Sequence, residues 1–284
     1  MKILCPTDFS EAAFNGIEYA AKIAEYLKSS LTLVNIQKIS VGEGVTMFAG
    51  GERESHKQSR EASEILYGYC RDINKTFKIP ADFLVMTSGS IFEKTIAEVG
   101  DKYDLIVIGT KGVSQLSTYY FGTHSYQISK EANSPVLIVP LGCEFTPFKK
   151  IVYATDYHIG DELLLKQVQF LLENFNTEIE LVHVSTNEIT LSTDVFLDFK
   201  NKLEQALNYN PKVSFKRVVS ENIIEKLEKI VGEDNSDLLV VCLQKHLLPY
   251  QMVHKNLVKE LTSDSLVPVL VFHKYQFESD HIDF

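Results

Sequence analysis

The sequence lacks the features that mark several special classes of protein. No apolar run approaches the roughly 20 residues that a membrane-spanning helix needs. No cluster of lysine and arginine stands out in a chain of net charge -10, which argues against a surface for nucleic acid or anionic membranes. The four cysteines, Cys5, Cys70, Cys143 and Cys242, form no CxxC pair and no zinc-finger spacing. What remains is an ordinary globular composition, 45% hydrophobic and 23% charged over 284 residues.

Motifs of the common hydrolases are missing as well. The chain has no HExxH and no GxxxxGK[ST] loop, which would place a lysine and a magnesium-binding hydroxyl on a nucleotide's phosphates. No nucleophile lies beside a base at motif spacing. A protein that holds ATP without positioning a water molecule hydrolyses it slowly at most. We therefore assign no catalytic residue and no metal ligand from the sequence.

The first residues indicate the compartment. MKILCPTDFS contains an apolar run too short for a signal peptide and no small-residue cleavage site. We interpret Lys2 to Pro6 as a core strand. Cys5 and Cys242 lie in apolar runs of this kind, where buried free thiols are common. These features predict a cytoplasmic protein.

Short apolar runs alternate with helical periodicity in the first half of the chain. Strands are predicted at Lys2–Pro6, Leu31–Ile36, Asp82–Thr87, Leu105–Ile108 and Pro135–Val139. Helices are predicted between them, at about 10–27, 52–77, 90–100 and 123–133. Strands and helices that alternate in this way form a parallel sheet with helices on both faces. The predicted fold class is α/β, a doubly wound, Rossmann-like domain with a five-stranded parallel sheet.

The pattern starts again after a connector at 141–148. Residues 149–157 (KKIVYATDY) resemble residues 1–9 (MKILCPTDF), and residues 237–273 align without a gap on residues 104–140. Internal similarity over the length of a domain indicates a duplication. We predict two tandem domains, at 1–141 and 149–274, followed by a tail at 275–284.

Glycines follow the strand Leu105–Ile108 at a fixed spacing, G-x2-G-x9-G-T, formed by Gly109, Gly112, Gly122 and Thr123. Glycines let a backbone approach an anion closely, and the free N–H groups at a helix start point towards it. Hydroxyls at that helix start would add hydrogen bonds. The pattern predicts a phosphate-binding loop, with simple turn formation as the alternative.

This signature, placed between two buried strands, resembles the nucleotide-binding signature of the universal stress protein family. Together with the repeat, it makes the chain similar to a tandem member of that family over nearly its whole length. The resemblance implies two domains of the adenine nucleotide alpha hydrolase-like fold. It also implies an adenine-nucleotide site, for ATP or AMP with or without Mg²⁺, in the N-terminal domain.

The resemblance assigns the adenosine part of the nucleotide to the first two strands. Pro6, Thr7 and Asp8 match the family's motif at the end of the first strand, where the acidic residue and nearby backbone meet the adenosine. A carboxylate can accept hydrogen bonds from ribose hydroxyls, although Asp8 could instead cap the following helix. Ile36 falls where the family contacts adenine, and its alternative role is a core residue.

The ribose and the phosphates are assigned to the glycine loop. The backbone at Gly109 and Gly112 would run alongside the ribose and the first phosphate. The terminal phosphates would be held at the helix start by Gly122, Thr123 and Ser125. Lys111 could reach a phosphate or stay in solvent. His124 departs from the family pattern, and we expect it to face the surface or the backbone rather than to contact a phosphate.

The second domain has lost the signature. Cys242, Lys245, Lys255 and Asn256 stand at the four positions of Gly109, Gly112, Gly122 and Thr123. A Cβ at these positions blocks close backbone approach. We predict that the C-terminal domain does not bind nucleotide in the family manner.

The leading hypothesis is a stress-response protein that binds adenine nucleotide in its N-terminal domain and acts as a sensor or signalling module. Two alternatives stay open. One is a nucleotide-free interaction or chaperone-like protein, and the other is an enzyme, either a weak ATPase or a metal-dependent hydrolase. The resemblance also implies protein partners, which the sequence does not name. It further implies an intramolecular pseudo-dimer through the strands at 135–139 and 267–272, which can pair again into a homodimer.

Overall fold

The computed structural model describes residues 1–38, 50–88, 91–111, 123–155, 174–186, 193–206, 213–243, 265 and 267–273. The chain divides into two compact units, one made of residues 1–111 and 127–145 and the other of residues 112–126 and 146–284. The predicted tail at 275–284 lies outside the described residues. Among those residues, no helix combines the length and the apolar character needed to cross a membrane.

The first half of the chain folds as alternating strands and helices. The strands are β1 (Lys2–Pro6), β2 (Ser30–Lys38), β3 (Ala81–Ser88), β4 (Leu105–Thr110) and β5 (Val136–Pro140). The helices are α1 (Glu11–Tyr26), α2 (Gly50–Phe77), α3 (Phe92–Gly100) and α4 (Thr123–Glu131). The strand order is β3-β2-β1-β4-β5, and every pairing is parallel. The predicted α/β class and doubly wound sheet are confirmed.

Burial explains why these strands could be recognised in the sequence as apolar runs. All five residues of β5 are buried, as are the first four of β4. A strand covered on both faces needs no polar alternation, so its sequence is continuously apolar. β3 lies at the edge of the order and alternates between exposed and half-buried residues, which fits its mixed sequence ADFLVMTS.

The second half repeats the pattern in the part of the chain that the structure describes. Its strands are β6 (Lys150–Ala154), β7 (Glu178–Ser185), β8 (Val213–Val219), β9 (Leu238–Leu243) and β10 (Val269–His273). Two helices lie between them, α5 (Thr193–Ala206) and α6 (Ile223–Glu233). The strand order is β10-β9-β6-β7-β8, again with parallel pairing.

The two sheets agree in register as well as in order. Ile3 pairs with Leu105 between β1 and β4, and Ile151 pairs with Leu238 between β6 and β9. The sequence repeat aligns Ile3 with Ile151 and Leu105 with Leu238. Residues that are equivalent in the sequence repeat therefore also occupy equivalent positions in the two sheets.

A carboxylate fixes the start of the fourth strand in each unit. Asp104 Oδ2 accepts a hydrogen bond from the backbone N–H of Lys2 at 2.7 Å. In the second unit, Asp237 Oδ2 accepts from the N–H groups of Lys149 and Lys150 at 2.8 and 2.9 Å. Charged acceptors strengthen such bonds, so both aspartates tie the fourth strand to the first.

The connector at 141–148 is anchored by its aromatic residues, each within its own unit. Phe145 packs edge-on against Tyr19 of α1, with ring centroids 5.4 Å apart. Phe148 is buried in the second unit against Phe175, at 4.9 Å between centroids. Its carbonyl oxygen accepts a hydrogen bond from Thr177 Oγ1 at 2.7 Å. The predicted connector is therefore ordered by packing at both ends.

Candidate functional site

The strand order places the candidate site between β1 and β4. From β1 the chain proceeds to β2 on one side, and from β4 it proceeds to β5 on the other side. In doubly wound sheets, ligands bind outside the carboxyl ends of the strands at this reversal point. Pro6 is the last residue of β1, Gly109 is the last but one of β4, and Asp8 lies two residues after β1. The fold therefore brings together residues that lie about a hundred positions apart in the sequence.

Thr7 forms hydrogen bonds within the protein at the carboxyl edge of the sheet. Its side chain is buried, and its backbone N–H donates to the carbonyl oxygen of Val34 at 2.9 Å. Thr7 Oγ1 accepts from the N–H of Phe9 at 3.0 Å, and its carbonyl oxygen accepts from Asn35 Nδ2 at 2.9 Å. These internal bonds give Thr7 a structural role that does not depend on a ligand.

Asp8 orders the turn that leads into α1. Its Oδ1 accepts a hydrogen bond from the N–H of Ser10 at 2.9 Å, and Phe9 between them has a φ of 64°. Ser10, not Asp8, is the N-cap residue, since Ser10 Oγ accepts from the N–H of Ala13 at 3.2 Å. Asp8 is exposed, and its Oδ2 takes no hydrogen bond from the described part of the chain. Asp8 is therefore an exposed carboxylate near the reversal point, with one oxygen that bonds to none of the described residues.

Gly109 is required by the packing of α1 on β4. A Cβ on Gly109 would lie 1.8 Å from the carbonyl oxygen of Ala12, a distance that no side chain can adopt. Gly16, in the middle of α1, is its counterpart: a Cβ there would lie 2.6 Å from the backbone nitrogen of Gly109. The sequence predicted Gly109 as a ligand contact, and the structure adds a reason for glycine that holds without any ligand.

The remaining predicted residues of the first unit lie at or near the same edge. Pro6 is buried and opposite Val34 in the sheet register. Ile36 is half-buried in β2, beside Met86, so it can offer an apolar surface at the edge. Lys111 is exposed directly after β4, and it engages another residue of the chain.

The predicted phosphate-binding residues cluster in sequence at the start of α4. Thr123 is the first residue of that helix, followed by His124, which is exposed, and Ser125, which is buried. His124 and Ser125 both have interaction partners in the protein. The exposure of His124 agrees with the predicted surface position. Gly112 and Gly122 lie outside the described residues, so their predicted role remains a prediction.

Two residues that sequence reasoning missed also belong to this edge. Thr110 ends β4, and its Oγ1 is buried without a hydrogen-bond partner among the described residues. Asn35 is a buried amide within the apolar strand β2, held by its bond to Thr7. Each had a signal in the sequence: a hydroxyl between the first two glycines, and a polar residue inside the run LTLVNI.

The corresponding edge of the second unit keeps the architecture but not the glycine. Thr155 donates its N–H to the carbonyl oxygen of Val182 at 2.9 Å, as Thr7 does to Val34. Cys242 occupies the position of Gly109, and its thiol contacts the carbonyl oxygen of Leu243 at 3.8 Å. The other positions of the degenerate signature, Lys245, Lys255 and Asn256, lie outside the described residues.

The buried thiols are poor nucleophiles. Burial raises the pKa of Cys5 to about 12. Burial, and next the charge of Asp82, raise the pKa of Cys70 to about 11. Burial also raises the pKa of Cys143. Since the thiolate is the reactive form, these shifts make the three thiols weaker nucleophiles than an exposed cysteine at neutral pH.

Comparison with known proteins identifies the family. Residues 1–140 match the model of the Universal stress protein family. Universal stress protein MJ0531 of Methanocaldococcus jannaschii is 26% identical over 144 residues, which is 49% of this chain and 81% of that protein. A Thermus aquaticus protein named universal stress protein in QAH/OAS sulfhydrylase 3'region is 34% identical over 62 residues, 22% of this chain and 45% of its own.

A solved structure extends the likeness to the second half. The crystal structure of a universal stress protein from Archaeoglobus fulgidus DSM 4304 covers 96% of this chain and 98% of its own chain. The TM-score is 0.76 at 18% sequence identity, so this likeness concerns the fold. Residues 1–140 therefore belong to the universal stress protein family, and the chain as a whole shares the fold of the Archaeoglobus fulgidus structure.

Proposed function

We propose that the N-terminal domain, residues 1–141, binds an adenine nucleotide, ATP or AMP, and that the protein acts as a sensor or signalling module. The observation that carries the proposal is the meeting of Asp8, Gly109 and Thr110 at the reversal point of the first sheet. Enzymatic turnover is not part of the proposal, because no nucleophile–base pair accompanies these residues in the sequence.

The residues present fit the adenosine part of such a ligand. Asp8 Oδ2 takes no hydrogen bond from the described residues and can accept one from a ribose hydroxyl. Thr110 Oγ1 is buried, and no partner for it is found in the described part of the chain. A buried hydroxyl without a partner is costly, and a polar ligand would supply one. Ile36 offers apolar contact for a base.

The phosphates would lie towards the start of α4. The first N–H groups of a helix have no partner within the helix, and the helix dipole favours an anion there. Thr123 and Ser125 would add hydroxyls, and the glycines at 112 and 122 would let the backbone come close. Mg²⁺, where ATP brings it, would be held chiefly by the phosphate oxygens and water.

Titration of the full chain tests this proposal. ATP and AMP are titrated, with and without Mg²⁺, into the wild type and into Asp8→Ala by isothermal calorimetry. The matched control is Asp156→Ala, the same change at the equivalent position of the second domain. Small molecules released by denaturing the purified protein are identified by mass spectrometry.

We expect the chain to bind one nucleotide. Asp8→Ala should weaken the binding affinity at least tenfold, and Asp156→Ala should leave it unchanged. A tenfold change in affinity corresponds to about 1.4 kcal/mol. Gly122→Val should abolish binding by filling the loop. Gly109→Ala is unsuitable as a test, because its Cβ would collide with Ala12 whether or not nucleotide binds. No binding at millimolar nucleotide, or equal loss in the Asp156 variant, would refute the site.

A nucleotide-free interaction module is the second candidate, and one observation favours it. Thr7 and Gly109, two of the predicted site residues, have internal structural roles that a nucleotide-free protein would also need. If this second candidate is right, added ATP changes the melting temperature of neither the wild type nor Asp8→Ala. A rise of the wild-type melting temperature with ATP concentration would exclude it.

A further inference from the structure

Four charged side chains meet in the second unit, near the amino ends of its strands. Lys216 Nζ lies 2.9 Å from Asp234 Oδ2 and 3.7 Å from Glu180 Oε2. Lys150 Nζ lies 3.5 Å from Asp234 Oδ1. The Glu180 side chain is only 15% exposed. Two carboxyl groups therefore share one lysine in a half-buried position, at the opposite ends of the strands from the reversal-point edge.

The two carboxyl groups differ in how well positive charges and hydrogen bonds compensate them. Asp234 is the C-cap residue of α6, where the negative end of the helix dipole disfavours an anion, but two ammonium groups compensate it. Glu180 Oε2 is buried, and the described residues give it no hydrogen bond. Its distance to Lys216 exceeds hydrogen-bond length. An ionised Glu180 would thus be a poorly compensated buried charge, which is costly.

We propose that Glu180 and Asp234 share one proton in the folded protein, and that the second unit thereby responds to mild acidification. Glu180 carries the proton and donates its O–H to the Asp234 carboxylate, which keeps its bond to Lys216. Neutralising Glu180 removes the uncompensated charge and gives its buried oxygen a partner. The element is a proton sensor built into the sheet, separate from the proposed nucleotide site.

The surrounding charges act in the same sense. Burial, and then the neighbouring Asp234 carboxyl group, raise the pKa of Glu180 despite the opposing charges of Lys216 and Lys150. The hydrogen bond from Lys216 lowers the pKa of Asp234. The bond to Asp234 raises the pKa of Lys216, to which Glu233 adds a further negative charge. The proton therefore resides on Glu180 and not on Asp234.

At the equivalent described positions, the first unit lacks this glutamate and lysine, and it serves as an internal control. The register of the two sheets places Thr32 at the position of Glu180 and Leu84 at the position of Lys216. Asp101, the C-cap residue of α3, corresponds to Asp234 and accepts a hydrogen bond from Asn133 Nδ2 at 3.0 Å. The glutamate and the lysine of the pair are thus replaced by uncharged residues, so we assign the proposed response to the second unit.

The sign of the response follows from linkage. A carboxyl group whose pKa is higher in the folded than in the unfolded chain holds its proton more tightly when folded. Its contribution to stability is complete below the unfolded pKa and is lost as the pH rises through the folded value. The second unit should therefore gain stability on acidification from neutral pH, until protonation of Asp234 and other carboxylates reverses the trend.

Carbon-13 NMR of the glutamate side-chain carboxyls, in the full chain, observes the proton directly. Wild type, Glu180→Gln and the control Glu221→Gln, which changes an exposed glutamate of the same unit, are titrated. We expect one glutamate carboxyl to keep its proton above the ordinary titration range of this residue type, and that signal to vanish only in Glu180→Gln. Ionisation of Glu180 within the ordinary range of glutamate would overturn the proposal.

Hydrogen-exchange mass spectrometry, corrected for the intrinsic pH dependence of exchange, tests the consequence. In the wild type, protection of β7, β8 and α6 should rise as the pH falls from neutral to mildly acidic. Glu180→Gln, which keeps a donor towards Asp234, should lose this pH dependence, and so should Glu180→Thr, the residue found in the first unit. Equal pH dependence in the wild type and both variants would contradict proton sharing.

Discussion

The Nδ1 atom of His183 lies 2.9 Å from the carbonyl oxygen of Thr155. A carbonyl oxygen can only accept, so this ring nitrogen carries the hydrogen. In the first unit, Asn35 Nδ2 donates to the carbonyl oxygen of Thr7 at the same distance. The two halves of the chain thus keep one hydrogen bond at the end of the first strand, made by different side chains.

This equivalence predicts how His183 tolerates substitution. Asparagine should replace it with little loss, because Asn35 makes the same bond in the first unit. Leucine should cost about 1 kcal/mol, the usual net value of one hydrogen bond. Urea unfolding followed by circular dichroism gives both values. An asparagine variant as unstable as the leucine variant would show that the ring, and not the bond, matters.

The close packing of α1 on β4 predicts opposite effects for two alanine substitutions. Gly109→Ala places a Cβ against the Ala12 carbonyl oxygen, so α1 must shift, at a cost of about 1–3 kcal/mol. Gly68→Ala is the control: Gly68 lies within α2, and outside the backbone of that helix no described atom lies within 4 Å of the added Cβ. This variant should gain about 0.5–1 kcal/mol from helix propensity.

Thermal unfolding without nucleotide separates these effects from ligand binding. The loss in Gly109→Ala should be present in nucleotide-free protein. If the variant were as stable as the wild type without ligand and differed only in its presence, the packing explanation would fail.

The sequence predicted the strands and helices from local patterns, but it did not reveal which distant residues pack against each other. The run Leu105–Ile108 is apolar because β4 is buried on both faces, so its strand was recognised from composition alone. Gly16 is the packing partner of Gly109, but no spacing rule joins two residues that far apart. Only the glycine in mid-helix, which costs stability relative to alanine, hinted at a special contact.

The charged cluster was invisible for the same reason. Glu180 lies in a strand and Asp234 at a helix end, and each alone is an ordinary surface residue type. Their closeness depends on the packing of α6 against β7. In the same way, the sequence indicated glycine at 109 as a mark of ligand binding, since it could not show the helix that lies over that glycine.

Alkylation of the native chain should distinguish the thiols by their environment. Cys5 is fully buried, and this burial raises its pKa to about 12. Its thiolate fraction and its accessibility to the reagent should therefore both be minimal. Cys143 is only half-buried and should react with iodoacetamide faster at pH 8. Peptide mass spectrometry measures the rates, and urea should equalise them. Equal rates in the native chain would contradict the described burial.

Thr110 allows the proposed nucleotide site to be tested through a trade-off between stability and binding. Thr110→Val keeps the shape of the side chain and removes a buried hydroxyl that has no partner among the described residues. Without nucleotide, the variant should be as stable as the wild type or more stable, because removing an unsatisfied buried polar group relieves its desolvation cost.

With nucleotide, the effect of Thr110→Val should reverse. If the hydroxyl bonds to the ligand, the variant loses about 1 kcal/mol of affinity, roughly a fivefold rise in the dissociation constant. Thermal unfolding and calorimetry on the same preparation measure both quantities. A variant destabilised without nucleotide would reveal an internal partner for the hydroxyl. Unchanged affinity, with stability retained, would remove Thr110 from the site and leave Asp8 as the residue on which the adenosine assignment rests.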